Sequence, residues 1–264
     1  MEPTLLIDGN MRRGARNRLE PGDFAERNII RVTRNAGLEL KRFPLVESPQ
    51  LDRVAAKKLV KNRKGIVIGG SCLLHPTEDK RVLGFNYSDK AISTGEINET
   101  LLNIIWGCYS QGVPLLGICY GHQMVARFAG EKLIEIPKPE FGFYDVMLTE
   151  SGTQDAIFAG VSKKAKFAEY HSLGIAEAEN AEVLALNSSC IQAIKLPGHG
   201  IYGMQFHPDF HWNADNRGTG GLKCLFQEEN PGKESRIEPE DPFRAYSLNN
   251  IPLLNFMKMC ENRE

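Results

Sequence analysis

The stretch Val113-Pro114-Leu115-Leu116-Gly117-Ile118-Cys119-Tyr120-Gly121-His122-Gln123 decides the fold. Leu115, Leu116 and Ile118 read as a buried apolar strand that runs into a cysteine flanked by Gly117 and Gly121. A helix-compatible run, Gln123 to Ala129, follows and stops at Gly130. A strand, a sharp turn and a helix, with a thiol at the turn, is the layout of a nucleophile elbow. Glycine on both sides relieves the crowding that side chains would suffer on such a bend, so the Cys119 sulfur can project past the end of the sheet. The positive end of the following helix favours the anionic, nucleophilic form of that sulfur.

The chain around this turn alternates. Leu5 to Ile7 reads as a strand, Asp23 can cap a helix running to Asn35 and ended by Gly37, and Glu39 to Phe43 reads as a second strand. Ser48-Pro49 opens a helix with Leu51, Val54, Ala55 and Leu59 on one face, followed by the strand Ile66-Val67-Ile68. Ser93 and Glu96 have capping-box spacing for a helix through Leu101, Leu102, Ile105 and Trp106, ended by Gly112. Such alternation predicts an α/β fold: a three-layer arrangement of a mixed, mostly parallel sheet with helices on both faces and ligands at the carboxyl ends of the strands. From Tyr144 onward the strands come in succession: 145–148, 165–168, 183–186, 191–196 and 201–206. Pro197-Gly198-His199-Gly200 joins the last two as a hairpin. Antiparallel strands are therefore appended to the sheet in the second half.

Composition narrows the function. A chain of 264 residues with 42% hydrophobic content can bury a substantial core, and residues 1–264 are read as one domain. A net charge of −1, from 32 basic and 33 acidic residues, argues against nucleic-acid binding. No uninterrupted apolar run approaches the roughly 20 residues of a membrane span. The chain opens on a strand without the charged and apolar regions of a signal peptide. Cys72, Cys108, Cys119, Cys190, Cys224 and Cys260 form no C-x-x-C pair, which suits reduced thiols in the cytoplasm and predicts neither a disulfide framework nor a metal site. Apart from Cys119, these cysteines read as small buried hydrophobes.

Gly117-Ile118-Cys119-Tyr120-Gly121-His122-Gln123 resembles the nucleophile motif of the class I, triad-type glutamine amidotransferases. Three further stretches match the family in order. Gly69-Gly70-Ser71 follows a strand, Tyr170-His171-Ser172-Leu173 resembles the substrate-binding loop of the anthranilate synthase glutaminase subunit, and Gly203-Met204-Gln205-Phe206-His207-Pro208-Asp209 resembles the histidine–carboxylate segment. Gly69-Gly70 and Phe141-Gly142-Phe143 also resemble the glutaminase of GMP synthetase. The likeness covers roughly residues 4–210 and a last helix near 251–261.

The resemblance implies a glutaminase that needs no cofactor or metal. Cys119 is the expected nucleophile, which attacks the side-chain amide of L-glutamine and forms a thioester. His207 is the expected base, and Asp209, two residues on in an extended segment, orients it. The backbone N–H groups of Gly70 and Tyr120 are the expected oxyanion donors. Gln123, with the backbone at Ser172 and Leu173, is expected to hold the amino-acid end of glutamine. His122 is expected to pack beneath the elbow, whereas His75, His199 and His211 carry no signal beyond surface or loop placement. The chain has no Gly-x-x-x-x-Gly-Lys phosphate loop, so the ammonia must go to a separate synthetase or amidating subunit.

This sequence departs from the family in places. Asp209 stands where glutamate is usual, and Ser71 where proline is common after the oxyanion glycine. Residues 72–92 and 211–248 read as insertions. Arg12-Arg13-Gly14-Ala15-Arg16-Asn17-Arg18 places four arginines in seven residues, a local excess that can bind phosphate or carboxylate groups or simply be solvated. Two alternatives to the amidotransferase role stay open. One is a free-standing γ-glutamyl peptidase or hydrolase using the same triad, and the other a catalytically weak regulatory subunit that mainly binds a partner.

Overall fold

Strand pairing begins at β1 (Thr4–Asp8), which lies between β2 (Leu40–Pro44) and β3 (Ile66–Ile68), parallel to both. The structure is a computed structural model that describes residues 1–8, 21–45, 50–71, 74–77, 81–82, 92–211, 221–223 and 239–263. The segments Ser48-Pro49 and Arg12–Arg18, Cys72 and Cys224, and most of the two insertions lie outside the described residues. β3 pairs in parallel with β6 (Leu115–Ile118), and β6 with β11 (Ile201–Met204). Three long helices belong to this half: α1 (Pro21–Asn35), α3 (Thr94–Gln111) and α4 (Tyr120–Ala129). With them are α2 (Arg53–Val60) and a two-stranded ladder of β4 (Arg81–Val82) and β5 (Ile92–Ser93).

The second half is antiparallel. β7 (Leu133–Leu148), β8 (Lys164–Ile175), β9 (Glu182–Leu186) and β10 (Ile191–Lys195) extend the sheet beyond β11, in the order β2-β1-β3-β6-β11-β10-β8-β7-β9. β10 also pairs with β9, so these four strands close on one another as a small antiparallel barrel. The expectation of a mostly parallel sheet is thus corrected: among the described residues, four of the nine pairings in this sheet are parallel and five antiparallel. The cause is the length of β7 and β8, at 16 and 12 residues, where the sequence pattern showed only short strands. Pro137 and Pro139 hide β7 because proline lacks the ladder donor, and they fall inside the register shift between Glu135 and Glu140 where that donor is not needed. A short α5 (Glu150–Gln154) links β7 to β8, and α6 (Pro242–Asn249) and α7 (Ile251–Glu261) end the described chain.

Alternate side chains of the parallel strands enter two clusters, as the two-residue period of a strand requires. Leu5, Ile7, Ile66, Ile68 and Leu115 pack with Ala56 and Val60 of α2, Ile104 of α3 and Met124 of α4. Leu6, Val67, Leu116 and Ile118 pack instead with Ile29 of α1 and Leu253 and Phe256 of α7. Local signals explain most boundaries. Ser93 forms the expected capping box with Glu96, Gly112 ends α3 in the left-handed conformation (φ 63°), and Pro197–Gly200 joins antiparallel β10 and β11. The face of α2 differs from expectation: Ala56 and Val60 are buried, whereas Val54 is 78% exposed. A Cβ at Gly107 of α3 would lie 3.2 Å from Val60 Cγ2 and 3.4 Å from the Ala56 carbonyl, so the glycine sets where the helices touch.

Candidate active site

Cys119 sits between the last residue of β6 and the first of α4 with φ 52° and ψ −103°, a backbone conformation costly for a side chain-bearing residue. The surroundings over-determine that bend. Cys119 N donates to Met204 O at 2.7 Å, extending the β6–β11 ladder by one step, and Gln123 N donates to Cys119 O at 3.0 Å as the first helical bond. The flanking glycines are required by backbone packing. A Cβ on Gly117 would lie 2.3 Å from Gly121 O, and one on Gly121 would lie 2.4 Å from Ile68 O.

His207 follows β11, where its N–H donates to Ala168 O at 2.8 Å. Its Nδ1 lies 3.1 Å from Asp209 Oδ1, and its ring stacks on Phe210 with centroids 4.5 Å apart and planes 6° from parallel. A carboxylate only accepts, so Nδ1 carries the proton of this bond and Nε2 is left as the basic nitrogen. Both residues are buried. Burial alone would push the His207 pKa down, but the neighbouring Cys119 and Asp209 outweigh it and hold the imidazole well above its ordinary value. No Sγ–Nε2 hydrogen bond of ordinary geometry is formed: the thiol donates to Tyr170 O at 3.7 Å, and the buried Nε2 has no hydrogen-bond partner among the described residues.

Gly70, expected beside the nucleophile, is there. A Cβ at this position would be 3.0 Å from His207 Cε1 and 3.5 Å from Cys119 Cβ, so the glycine backbone borders both. Tyr120 opens α4, where a helix leaves the backbone N–H without an intrahelical acceptor. Its hydroxyl donates to Asn98 Oδ1, and Asn98 Nδ2 donates to His75 O at 3.0 Å and Pro76 O at 3.2 Å. Gln123 is buried, with Nε2 3.4 Å from Leu173 O and 3.3 Å from Gln205 Oε1, so it meets the Ser172–Leu173 segment directly. His122 lies fully buried against β11, where a Cβ on Gly203 would be 2.6 Å from its Nδ1, and burial drives its pKa down to about 3. It packs under the elbow, as expected. His211 lies outside helix and strand, as expected, but is buried and not at the surface, and burial lowers its pKa to about 4.

Two further sets of residues support the site, and of their members the sequence motifs contain only His171. In the first, Asn249 at the end of α6 receives Ala168 N on Oδ1 at 2.9 Å and donates from Nδ2 to His207 O at 2.7 Å and Phe210 O at 3.2 Å. Asn250 Nδ2 adds bonds to Pro208 O and Phe210 O at 2.7 and 2.6 Å. These amides fix the turn carrying His207 and Asp209. Asn249-Asn250 ahead of Ile251-Pro252 shows only a helix start in the sequence.

The second set is a buried cluster at the β7–β8 junction. His171 Nε2 lies 3.0 Å from Glu140 Oε2 and 3.1 Å from Glu169 Oε2, while Nδ1 is 2.9 Å from Leu173 O. Glu169 and His171, two apart on one strand, share a face, a pattern readable in the sequence. Glu140 joins them only because the register sets it opposite His171. Desolvation raises the Glu169 pKa to about 7. Burial opposes protonation of His171, but the two glutamates prevail and raise its pKa to about 10. Cys190 brings its Sγ within 4.8 Å of the Glu140 and His171 ligand atoms, but the His171 nitrogen that would face an ion is already engaged with two carboxylates. Cys108, Cys190 and Cys260 are buried free thiols, as expected of them.

A cleft of 1130 Å³ opens elsewhere, near the N-termini of α2 and α3, and its lining of Asp52, Ser93, Asn98 and Arg127 among others includes neither Cys119 nor His207. Among the described residues no helix is long and apolar enough to cross a membrane.

The family described as glutamine amidotransferase class-I matches residues 19–219, a span that contains Cys119, His207 and Asp209. One of the subunits of the glutamine-hydrolyzing GMP synthase of Pyrococcus abyssi is 32% identical over 190 residues, covering 71% of this chain and 85% of that protein. Its counterpart of the same name in Pyrococcus furiosus is 28% identical over the same shares. Among solved structures, a glutamine amidotransferase from Thermotoga maritima superposes with a TM-score of 0.63 at 15% identity, covering 99% of each chain. A putative GMP synthase subunit protein from Thermoplasma acidophilum gives 0.59 at 18%, covering 99% of this chain and 94% of that one, so both show a shared fold. With the family match spanning the thiol at the elbow and the buried histidine–carboxylate pair, the chain belongs to the class I glutamine amidotransferases.

Proposed function

We propose that this chain hydrolyses the side-chain amide of L-glutamine to glutamate and ammonia, and that a separate synthetase or amidating subunit consumes the ammonia. The observation that carries the reading is a cysteine held in a strained turn next to a buried imidazole whose other nitrogen is bound by a buried carboxylate. In the proposed sequence, His207 Nε2 takes the proton of Cys119, and the sulfur forms a bond to the amide carbon of glutamine. The resulting tetrahedral oxyanion lies within reach of the Gly70 and Tyr120 N–H groups. His207 returns the proton to the leaving nitrogen, the C–N bond breaks, and ammonia departs from a thioester on Cys119. Water, deprotonated by the same imidazole, then cleaves the thioester and restores the thiol. Asp209 keeps the Nδ1 proton in place and stabilises the imidazolium, and Gln123 with Ser172 and Leu173 holds the amino-acid end of the substrate.

A separate acceptor is supported by the relatives, which bear the name of one subunit of a glutamine-hydrolysing GMP synthase. The reading is tested with Cys119→Ala and an electrophilic glutamine analogue. The variant is expected to fold and to lose glutamine hydrolysis, and the analogue to label Cys119 alone among the six cysteines of the chain. Labelling at another cysteine, or hydrolysis by the alanine variant at the wild-type rate, would overturn the assignment.

A further inference from the structure

Among the buried ionisable groups that the proposed reaction does not use, Glu140, Glu169 and His171 lie together. Burying charge is costly unless it is paired, and such groups gather where a fold must hold a functional geometry. Their geometry settles the protons. Leu173 O can only accept, so His171 Nδ1 donates to it at 2.9 Å. Glu140 is held as an anion, because both its oxygens accept from Asn187 Nδ2 (2.8 and 3.0 Å) and Oε2 also accepts from Gln192 Nε2 at 3.0 Å. Nε2 of His171 lies 3.0 Å from that anion as an ion pair without a hydrogen bond of ordinary geometry, and the two glutamates favour the protonated ring, an imidazolium. The Leu173 carbonyl is thus bonded from two sides, by this imidazolium and by Gln123 Nε2 at 3.4 Å. Two donors on one carbonyl restrain the peptide plane leaving Leu173.

We propose that Glu140, His171 and Glu169 form a buried ionic clamp that presets the main chain at Ser172–Leu173 for the amino-acid end of glutamine, making them positioning residues for substrate capture. The identity of the substrate rests on the glutaminase reading; the presetting of the main chain does not. Ser172 is exposed at the end of this network while His171 is buried, so the clamp anchors from within a segment that meets the ligand from outside. The clamp acts on binding through the Leu173 main chain, while the His171 charge is also felt by Cys119.

The test uses the full chain as wild type, His171→Gln and Glu140→Gln, read in three ways. KM for glutamine should rise on the order of 10- to 100-fold in both variants, the scale of misplaced binding groups, with kcat within about threefold of wild type. Alkylation of Cys119 by iodoacetamide, which lacks an amino-acid end, should stay within about threefold of wild type, far short of the change in KM. Amide hydrogen exchange at residues 172–174 should quicken. A merely structural cluster would lower thermal stability without separating KM from kcat. Unchanged KM and exchange, or kcat and alkylation falling together, overturns the clamp. If His171→Gln does not fold, the isosteric Glu140→Gln decides. If wild-type Cys119 is alkylated but glutamine is not hydrolysed, the glutaminase reading fails on its own, and hydrogen exchange alone decides the clamp: quickened exchange upholds the presetting and unchanged exchange removes it.

Discussion

Replacing Gly70 by alanine tests the arrangement at its tightest point. The added Cβ would stand 3.0 Å from His207 Cε1, 3.5 Å from Cys119 Cβ and 3.8 Å from His207 Nδ1. The first contact is closer than ordinary van der Waals packing, so the imidazole must retreat by a few tenths of an ångström. It has little room, because Nδ1 is bonded to Asp209 and the ring lies flat on Phe210. A misplacement of about 1 Å at a reacting group costs on the order of 100-fold, so this displacement should lower kcat about 5- to 10-fold. The backbone N–H at position 70 survives, so oxyanion stabilisation is not removed. Gly70→Pro takes it away and should cost a further factor of about 100- to 1000-fold. Overpacking of about 1 kcal/mol should lower the thermal midpoint by roughly 2–4 °C. Steady-state glutaminase kinetics with a thermal melt measure all of these. An alanine variant with wild-type kcat would refute the placement of His207 as the base beside Gly70.

Asp209 orients His207 and transfers no proton, so Asp209→Asn should reduce kcat far less than His207→Ala, and Asp209→Glu should retain activity. Equal, complete loss in both Asp209 variants would mark the residue as a structural anchor instead. Asn249→Ala, which removes three hydrogen bonds around the His207 turn, should reduce stability by about 1–3 kcal/mol in a denaturant titration, with kcat falling alongside. Stability should also depend on pH through the buried cluster. His171, raised to about 10 from 6.5, contributes stability fully present below pH 6.5 and lost as pH rises through 10. Glu169, raised to about 7 from 4.5, favours its protonated form, so its contribution declines between those values. The thermal midpoint should therefore fall from pH 7 to pH 10 in the wild type, and a melt series on His171→Gln should show the loss of that slope.

The elbow was legible because its signal is local. A strand, two glycines and a helix surround Cys119 within a dozen residues, and His207 and Asp209 meet at a spacing of two, although through a turn closed by Phe210 N on His207 O at 3.3 Å and not in the extended chain expected. Caps behave the same way: Ser93 with Glu96 and the glycine at 112 act on neighbours in sequence, so the ends of α3 could be read before any contact was known. What the flanking glycines avoid was not legible, since Gly121 answers to the backbone of Ile68, more than fifty positions earlier. The buried face of α2 was misjudged for a similar reason: periodicity offers several apolar stripes, and only contact with Gly107 of α3 selects the one with Ala56 and Val60. Glu140 became a partner of His171 through a strand register that Pro137 and Pro139 conceal, and Asn249 reaches His207 across 42 residues. The sequence by itself placed the thiol on one sharp turn and the histidine two residues from its carboxylate, because those features depend on dihedral angles and short spacings. Tertiary structure alone decided which distant polar groups are buried together around them, because a buried charge or amide persists only where remote strands and helices bring it a partner.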